Sequence, residues 1–357
     1  MKFGLLHNYF VYMAIKLETG LIRFLFGTRT EKFINRYLSR FFYWENKILQ
    51  KLNKNRLINN NETKGEDWAS DEKNNEKNIT IIIPVFNAYQ ELKECLESVI
   101  RNTQAPPYRL LMIDDASTDV RIRPLLKEYG NRYSHISVLY NERNLGYTAT
   151  INKACVHADS DDVVLLNSDT QVTKNWLTKM SECAKSNPRV ATVTPLSNAA
   201  GAFSVPQRDI DNNLKYLVSI DEMGGLVERL SLKRRPVVPT GNGFCMYVAR
   251  RALTVVGLFD AYNFPRGYGE ENDFCMRSSQ KGFIHLIDDS TFVYHKRTSS
   301  YQETKKKIIS SSMRRLDRLH PEYKLLVLKW LIADPLDEFR DLLLKQLEYC
   351  RNHENSF

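Results

Sequence analysis

From Asn78 onward, apolar positions follow two patterns in turn, unbroken β-branched runs and helical spacing, and this alternation predicts a layered α/β fold. "NITIIIPVF" reads as a buried strand. In the next stretch, "LKECLESVI", the residues Leu92, Cys95, Leu96, Val99 and Ile100 share one helical face. "YRLLMIDD" is a second strand, "RIRPLLKEY" a helix broken near its start by Pro124, and "SHISVLYNE" a third strand. "YTATINKACVHA" then gives a helix and "DDVVLLNSD" a fourth strand. Repeated βαβ units of this kind predict a mainly parallel, doubly wound sheet with its ligands at the carboxyl ends of the strands.

Beyond "RVATVTPLS" the regularity fades into "NAAGAFSVPQRDIDNN", which reads as a loop-rich insertion. Strand-like "GFCMYVARR" and the short strand "STFVYHK" follow. From Tyr301 the pattern is helical, and "YKLLVLKWLIADPLDEFRDLLLKQLEY" divides into two helices near Pro335. Ahead of the alternating region, Asn59 to Lys77 is polar, rich in Asn and nearly free of aliphatics, as a linker is. The expected organisation is a helical region 1–58, a linker 59–77, an α/β domain 78–300 and a helical tail 301–357.

Charge changes the picture at one end only. The chain of 357 residues carries a formal net charge of +9, and up to Leu57 it has eleven basic against three acidic residues. Interleaved with aromatics, as in "RYLSRFFYWENKIL", these charges suit either an amphipathic segment on an anionic membrane surface or two helices packed on the domain. No stretch approaches the roughly 18 uninterrupted apolar residues of a spanning helix, and no secretory signal is evident. The six cysteines include no CxxC pair, which speaks against a zinc site or a disulfide framework. The expected location is therefore cytoplasmic, with peripheral contact on the inner face of the plasma membrane through residues 1–57 as one option. The basic excess lies outside the alternating region and no nucleic-acid motif is present, so nucleic acid is not an expected partner.

Each of the four strands stops in a polar cluster: Pro84 to Asn87, Asp114 to Ser117, Asn141 to Gly146, and Asn167-Ser168-Asp169-Thr170. Any one of these would serve as a turn or helix cap. In a parallel sheet all four meet at one edge, and together they describe a nucleotide crevice better than four separate caps.

The segments "ITIIIPVFNAYQELKECLESVIRNT", "LLMIDDASTD", "NLGYTATINKA", "VVLLNSDTQV" and "GYGEENDFCMR" followed by "FVYHK" resemble, in order and spacing, the family 2 glycosyltransferases of the GT-A fold. The similarity runs from about Asn78 to Tyr301. It implies transfer of a sugar from a UDP-, dTDP- or GDP-sugar to a glycan or lipid-linked acceptor, with bacterial envelope polysaccharide, O-antigen or capsule as the commonest setting. It also implies nucleotide-sugar contacts at Pro84, Asn87, Asp115 and its neighbour Asp114, and at Asn144, Gly146 and Asn152. "NSD" stands in the place of the family's DxD, so Asp169 is the implied carboxylate ligand of Mg²⁺ or Mn²⁺. Asn167, an amide where the family has an acid, and Ser168 line the same turn. His295 matches a further metal ligand, and Lys296 and Arg297 beside it could screen diphosphate charge. Gly243, in "PTGNGFCM", would bring bare backbone close to the donor sugar.

"GEENDFC" places Glu270, Glu271 and Asp273 at a helix start, where acids are favoured by the helix dipole whatever else they do. The resemblance implies that Glu271 is the general base of a single inverting displacement, where the family usually has Asp. Glu270 and Asp273 share a face at i and i+3 and Glu271 points about 100° away, so the others can cap and pair, Asp273 with Arg277 at i+4. Two other readings compete. A nucleotidyltransferase would want a basic glycine loop after the first strand, which "PVFNAYQEL" lacks. A non-catalytic membrane-docked scaffold is left open by Asn167 and Glu271.

Overall fold

The computed structural model describes residues 78–214, 218–297 and 302–354. The region 1–58 and the linker 59–77 lie outside the described residues. The chain runs through β1 (Ile79–Val85), α1 (Tyr89–Asn102), β2 (Tyr108–Asp114), α2 (Ile122–Arg132), β3 (Ile136–Tyr140), α3 (Tyr147–His157) and β4 (Asp162–Leu166). These are the elements that the apolar pattern predicts, with one difference. Pro124 does not break α2: it is the helix's third residue, where the backbone has no earlier carbonyl to bond and a missing N–H costs nothing. The four strands pair in parallel in the order β3-β2-β1-β4, so their carboxyl ends open on one edge.

The second half contains β5 (Thr170–Val172), α4 (Trp176–Lys185), β6 (Val190–Leu196), α5 (Ile220–Leu230), β7 (Val237–Val238), β8 (Cys245–Val248), α6 (Arg250–Val256), α7 (Glu270–Gln280) and β9 (Ile284–His295). Here the sheet is mixed rather than mainly parallel. Its order is β3-β2-β1-β4-β8-β6-β9-β5, with β7 on β9. β8 runs antiparallel to both β4 and β6, and β5 runs antiparallel to β9. A buried strand reads as an apolar run in either direction, so hydrophobic pattern alone carries no sign of the reversal.

β9 is also longer than "STFVYHK", because Asp288 and Asp289 are buried within it. Asp288 accepts hydrogen bonds from the Ser290 hydroxyl (2.6 Å) and the Thr291 hydroxyl (2.6 Å), and Asp289 from the Ser231 hydroxyl (2.8 Å). The register with β6 shifts at that point, from Pro195↔Asp288 to Leu196↔Phe292, so a bulge absorbs the acids.

Both faces of the sheet are covered. Ile82, Leu111, Ile113, Val163, Leu165 and Met246 pack with Ile151 and Ala154 of α3, Leu253 of α6 and Phe274 of α7. Alternate residues such as Ile81, Ile83, Met112 and Val164 are equally buried and point to the opposite face. Burying each of these β1 isoleucines is worth about 1.5–3 kcal/mol relative to exposure, which holds the strand ends at fixed positions.

The tail forms α8 (Gln302–Leu319), α9 (Tyr323–Ala333) and α10 (Asp337–Glu354), with the expected break near Pro335. Residues 78–323 and 336–354 belong to one compact unit, and 324–335 belong to another. Among the described residues no helix is long and apolar enough to cross a membrane.

Candidate active site

The ends of β1 and β2 are tied into one rigid rim. The Asn87 side-chain oxygen accepts from the backbone N–H groups of Thr118 (2.8 Å) and Asp119 (2.9 Å), while the Asn87 N–H donates to the Ser117 hydroxyl (2.9 Å). Asn87, Ala88 and Ala116 all sit at positive φ, a conformation that costs a non-glycine residue on the order of 1 kcal/mol and persists where neighbours enforce it. Pro84 lies one turn back on β1, half-buried.

Asp115, buried, holds the β3–α3 loop. Its carboxylate accepts from the Leu145 N–H (2.8 Å), the Gly146 N–H (3.0 Å) and the Asn141 amide (2.9 Å). The exposed Asn144 amide donates to the Asp115 carbonyl (3.3 Å). Gly146 takes φ 84, and a Cβ there would collide with the Pro265 carbonyl. The glycine thus lets the β3–α3 loop touch the segment leading into α7. Asn152 is occupied at both ends of its amide, donating to the Phe259 carbonyl (2.7 Å) and accepting from the Phe259 N–H (3.1 Å). Its side chain braces the approach to α7. Asp114 is fully buried, with Oδ1 accepting from the Ser117 N–H (2.9 Å) and Oδ2 lying 3.7 Å from the Arg123 guanidinium.

The turn after β4 meets the end of β9. β5 pairs antiparallel with β9 in the register Thr170↔His295, which sets the His295 Nε2 3.3 Å from the Asp169 Oδ1. The other ring nitrogen, Nδ1, lies 3.1 Å from the Ala199 carbonyl. A carbonyl only accepts, so Nδ1 carries a proton, and in the neutral ring Nε2 is left to turn its lone pair toward the carboxylate. Two lone-pair donors at that distance suit a shared cation. Adjacent ligands at about 2.1 Å from an octahedral Mg²⁺ stand about 3 Å apart, and a carbonyl on the remote nitrogen is the usual support for a metal-binding histidine. The donor set therefore fits a divalent ion with most positions left for ligand oxygens. Asn167 and Ser168 precede Asp169 on the same half-buried turn, and the Asn167 N–H donates to the Phe244 carbonyl (2.9 Å).

Phe244 stacks on His295 with ring centroids 5.4 Å apart. Next to it, a Cβ on Gly243 would lie 3.8 Å from the Tyr147 hydroxyl, 3.9 Å from the Glu270 Oε1 and 4.0 Å from the Glu271 Cβ. Gly243 and Phe244 thus join the Asp169 turn to the acids. Lys296 and Arg297 turn elsewhere: Lys296 pairs with Glu91 (3.2 Å) and Glu94 (3.7 Å), and Arg297 with Asp211 (2.8 Å).

The three acids of α7 divide two and one. The Gly269 N–H donates to Oε2 of both Glu270 and Glu271, each at 3.1 Å. Both side chains curl back over the open helix end instead of pointing apart, because the first turn leaves its N–H groups unpaired. Gly269 permits this with φ 153, and a Cβ on it would be 2.7 Å from the Phe264 ring. Burial pushes both carboxyls above the usual range; the Glu271 charge adds to the rise at Glu270, and the hydrogen bond between the two lowers Glu271. Of the two, Glu271 is thus the carboxylate that ionises first. Asp273 faces away and pairs with Arg277 (2.7 Å) and with the His320 Nε2 (2.8 Å).

The geometry thus gathers Asp169, His295, Gly243, Glu270 and Glu271. Asn152, Asp273 and Arg277 lie in the scaffold around them. Tyr147, Phe244, Asn198 and His320 were not foreseen. Burial raises the hydroxyl pKa of Tyr147 and Tyr268, and the charges of Glu270, Glu271 and Asp169 add to it. "LGYT" and "GYGEE" adjoin the motifs and could have drawn attention to both tyrosines, whereas nothing in a loop sequence marks Asn198.

A parallel β3-β2-β1-β4 half, continued by a mixed half that carries a carboxylate–histidine pair and two adjoining glutamates, defines a GT-A fold. The same fold occurs in a mannosyltransferase from Pyrobaculum calidifontis solved in complex with GDP-Man and Mn²⁺, at a TM-score of 0.55 and 15% identity over 88% of this chain and 84% of that one. Residues 80–255 match the family described as "Glycosyl transferase family 2", and the domain belongs to that family. A putative teichuronic acid biosynthesis glycosyltransferase of Bacillus subtilis is 32% identical over 104 residues, 29% of this chain and 40% of the relative. A poly(ribitol-phosphate) beta-glucosyltransferase of Bacillus spizizenii is 28% identical over 125 residues, 34% of this chain and 20% of the relative. The alignments thus span less than half the length of these two curated relatives.

Proposed function

We propose that the protein is an inverting, divalent-metal-dependent glycosyltransferase that moves a sugar from a nucleotide-sugar to a hydroxyl of a glycan or lipid-linked acceptor in surface polysaccharide synthesis. One observation carries this reading: Gly243 lies against Glu270 and Glu271, and the next residue, Phe244, stacks on His295, which stands 3.3 Å from Asp169. One relative is named for teichuronic acid biosynthesis and another for glucosylation of poly(ribitol-phosphate), and these names support a polymer-building setting. Family membership favours it over a nucleotidyltransferase or a scaffold.

In this reading the strand ends from Pro84 to Ser117 and the loop fixed by Asp115 hold the nucleotide. Glu271 accepts the proton of the acceptor hydroxyl as its oxygen attacks the anomeric carbon. Glu270 stays protonated and donates to Glu271, keeping the base ionised and aimed. Asp169 and His295 would hold Mg²⁺ or Mn²⁺, which when bound supplies positive charge against the leaving diphosphate. Residues 1–57 are proposed to dock on the inner face of the plasma membrane, and liposome flotation with and without them tests that part.

The deciding experiment measures nucleoside diphosphate release from a panel of UDP-, dTDP- and GDP-sugars, with and without Mn²⁺, using wild type and Glu271→Gln. Metal-stimulated release that the variant loses is the expected result. Release from no donor, or release indifferent to both metal and Glu271, would sink the reading.

A further inference from the structure

The C-terminal tail lies beyond the family match, which ends at residue 255, yet it reaches the His295 loop. Arg340 of α10 is buried, with 5% of its surface exposed. Its guanidinium donates from Nε to the Ser204 carbonyl (3.0 Å) and from Nη2 to the Ala202 carbonyl (2.6 Å). Those carbonyls belong to a tight turn. The Ser204 N–H donates to the Gly201 carbonyl (2.9 Å), the Ala200 N–H to the Ser204 hydroxyl (2.8 Å), and the Ser197 N–H to the Phe203 carbonyl (3.2 Å).

The first residues of the same turn grip His295. The Asn198 side-chain oxygen accepts from the His295 N–H (2.8 Å), its amide donates to the His295 carbonyl (3.1 Å), and the Ala199 carbonyl takes the Nδ1 proton (3.1 Å). A second asparagine steadies the loop: the Asn212 side-chain amide donates to the Asn198 carbonyl (3.0 Å). A continuous set of hydrogen bonds therefore runs from α10 through residues 198–204 to the imidazole.

We infer that Arg340 is a positioning residue for His295, so that the C-terminal helix α10 sets how well the site holds a divalent cation. Burying a guanidinium is costly unless its donors are met, and here they are spent on the carbonyls of the turn that fixes the histidine's tautomer and angle. The inference rests on the proposed role of His295 as a metal ligand. Outer-shell partners of a metal-binding histidine affect metal affinity without touching the ion.

The test uses the full chain with Arg340→Met and, in case that variant unfolds, Arg340→Lys, which keeps the charge and loses the fork. Hydrogen exchange of peptides covering residues 197–205 and 292–297 reads the clasp directly. Exchange about tenfold faster in both peptides, with the β1–α1 peptides unchanged, is expected from local loosening. Mn²⁺ titration followed by electron paramagnetic resonance reads the consequence, with affinity lowered about tenfold in Arg340→Met and less in Arg340→Lys. Unchanged exchange in both variants overturns the clasp. Faster exchange with unchanged Mn²⁺ affinity overturns the positioning role. If wild type itself binds no Mn²⁺, the metal reading fails, the positioning role falls with it, and the exchange result still decides whether the clasp exists.

Discussion

Asp169 and His295 stand 3.3 Å apart because β5 and β9 pair antiparallel in the register Thr170↔His295. Neither residue makes a cation site alone. Asp169→Asn and His295→Ala are each expected to weaken Mn²⁺ binding and to lower turnover by about 100-fold or more, the usual loss of a charge-stabilising group. The double variant should cost little more than either single one, since both act through the same ion. Mn²⁺ titrations and kcat for the three variants check this, and additive losses would show that the pair does not work as a unit.

The glutamate pair separates by pH. Burial raises the Glu271 pKa and the hydrogen bond from Glu270 lowers it again. Removing that donor with Glu270→Ala should shift the acidic limb of kcat/KM toward higher pH, while Glu270→Gln, which still donates, should leave the limb close to wild type. Glu271→Gln should lose about 10²–10⁴-fold at every pH, as expected for a general base.

Stability should oppose activity at the same pair. The folded protein keeps a proton on Glu270 above the pH at which an unfolded chain releases it, so this group's contribution to stability falls as pH rises through that interval. Glu270→Gln removes the penalty and should stabilise the protein by on the order of 1 kcal/mol at pH 7. The gain should shrink toward pH 4, which urea unfolding at the two pH values would reveal.

His285 behaves in the opposite sense. Its Nε2 donates to the Cys275 carbonyl of α7 (2.9 Å), its Nδ1 accepts from the Thr192 hydroxyl (2.8 Å), and burial lowers its pKa from 6.5 to about 4. Unfolding lets the ring take a proton between those values. The stability that the neutral ring contributes is complete above 6.5 and lost as pH falls to about 4, a change on the order of 3 kcal/mol. His285→Gln should be less stable than wild type at pH 7, and denaturation curves should converge as the pH approaches 4.

At Gly146 the backbone conformation and the contact with Pro265 act together. Gly146→Ala should cost about 1–3 kcal/mol from φ strain alone and push the β3–α3 loop off the approach to α7. A raised KM for the nucleotide-sugar, beyond the fall in thermal midpoint, is the signature to measure.

The sequence by itself determined β1 to β4, their helices and the polar ends that meet at one edge of the sheet, because each element is written in local periodicity and right-handed crossovers leave few ways to arrange them. It also placed Asp169, His295 and the "GEENDFC" acids by motif, although the family match stops at residue 255, short of the last two. Only the tertiary structure decided the rest. Strand direction in the second half is a matter of pairing, which a buried apolar run does not encode. Glu270 and Glu271 converge because Gly269 offers an open N–H, and Asp273 is withdrawn by Arg277 and by His320 from the tail. Asn152 and Arg340 gain their roles from backbone carbonyls far away in sequence, and local periodicity carries no record of contacts between distant segments.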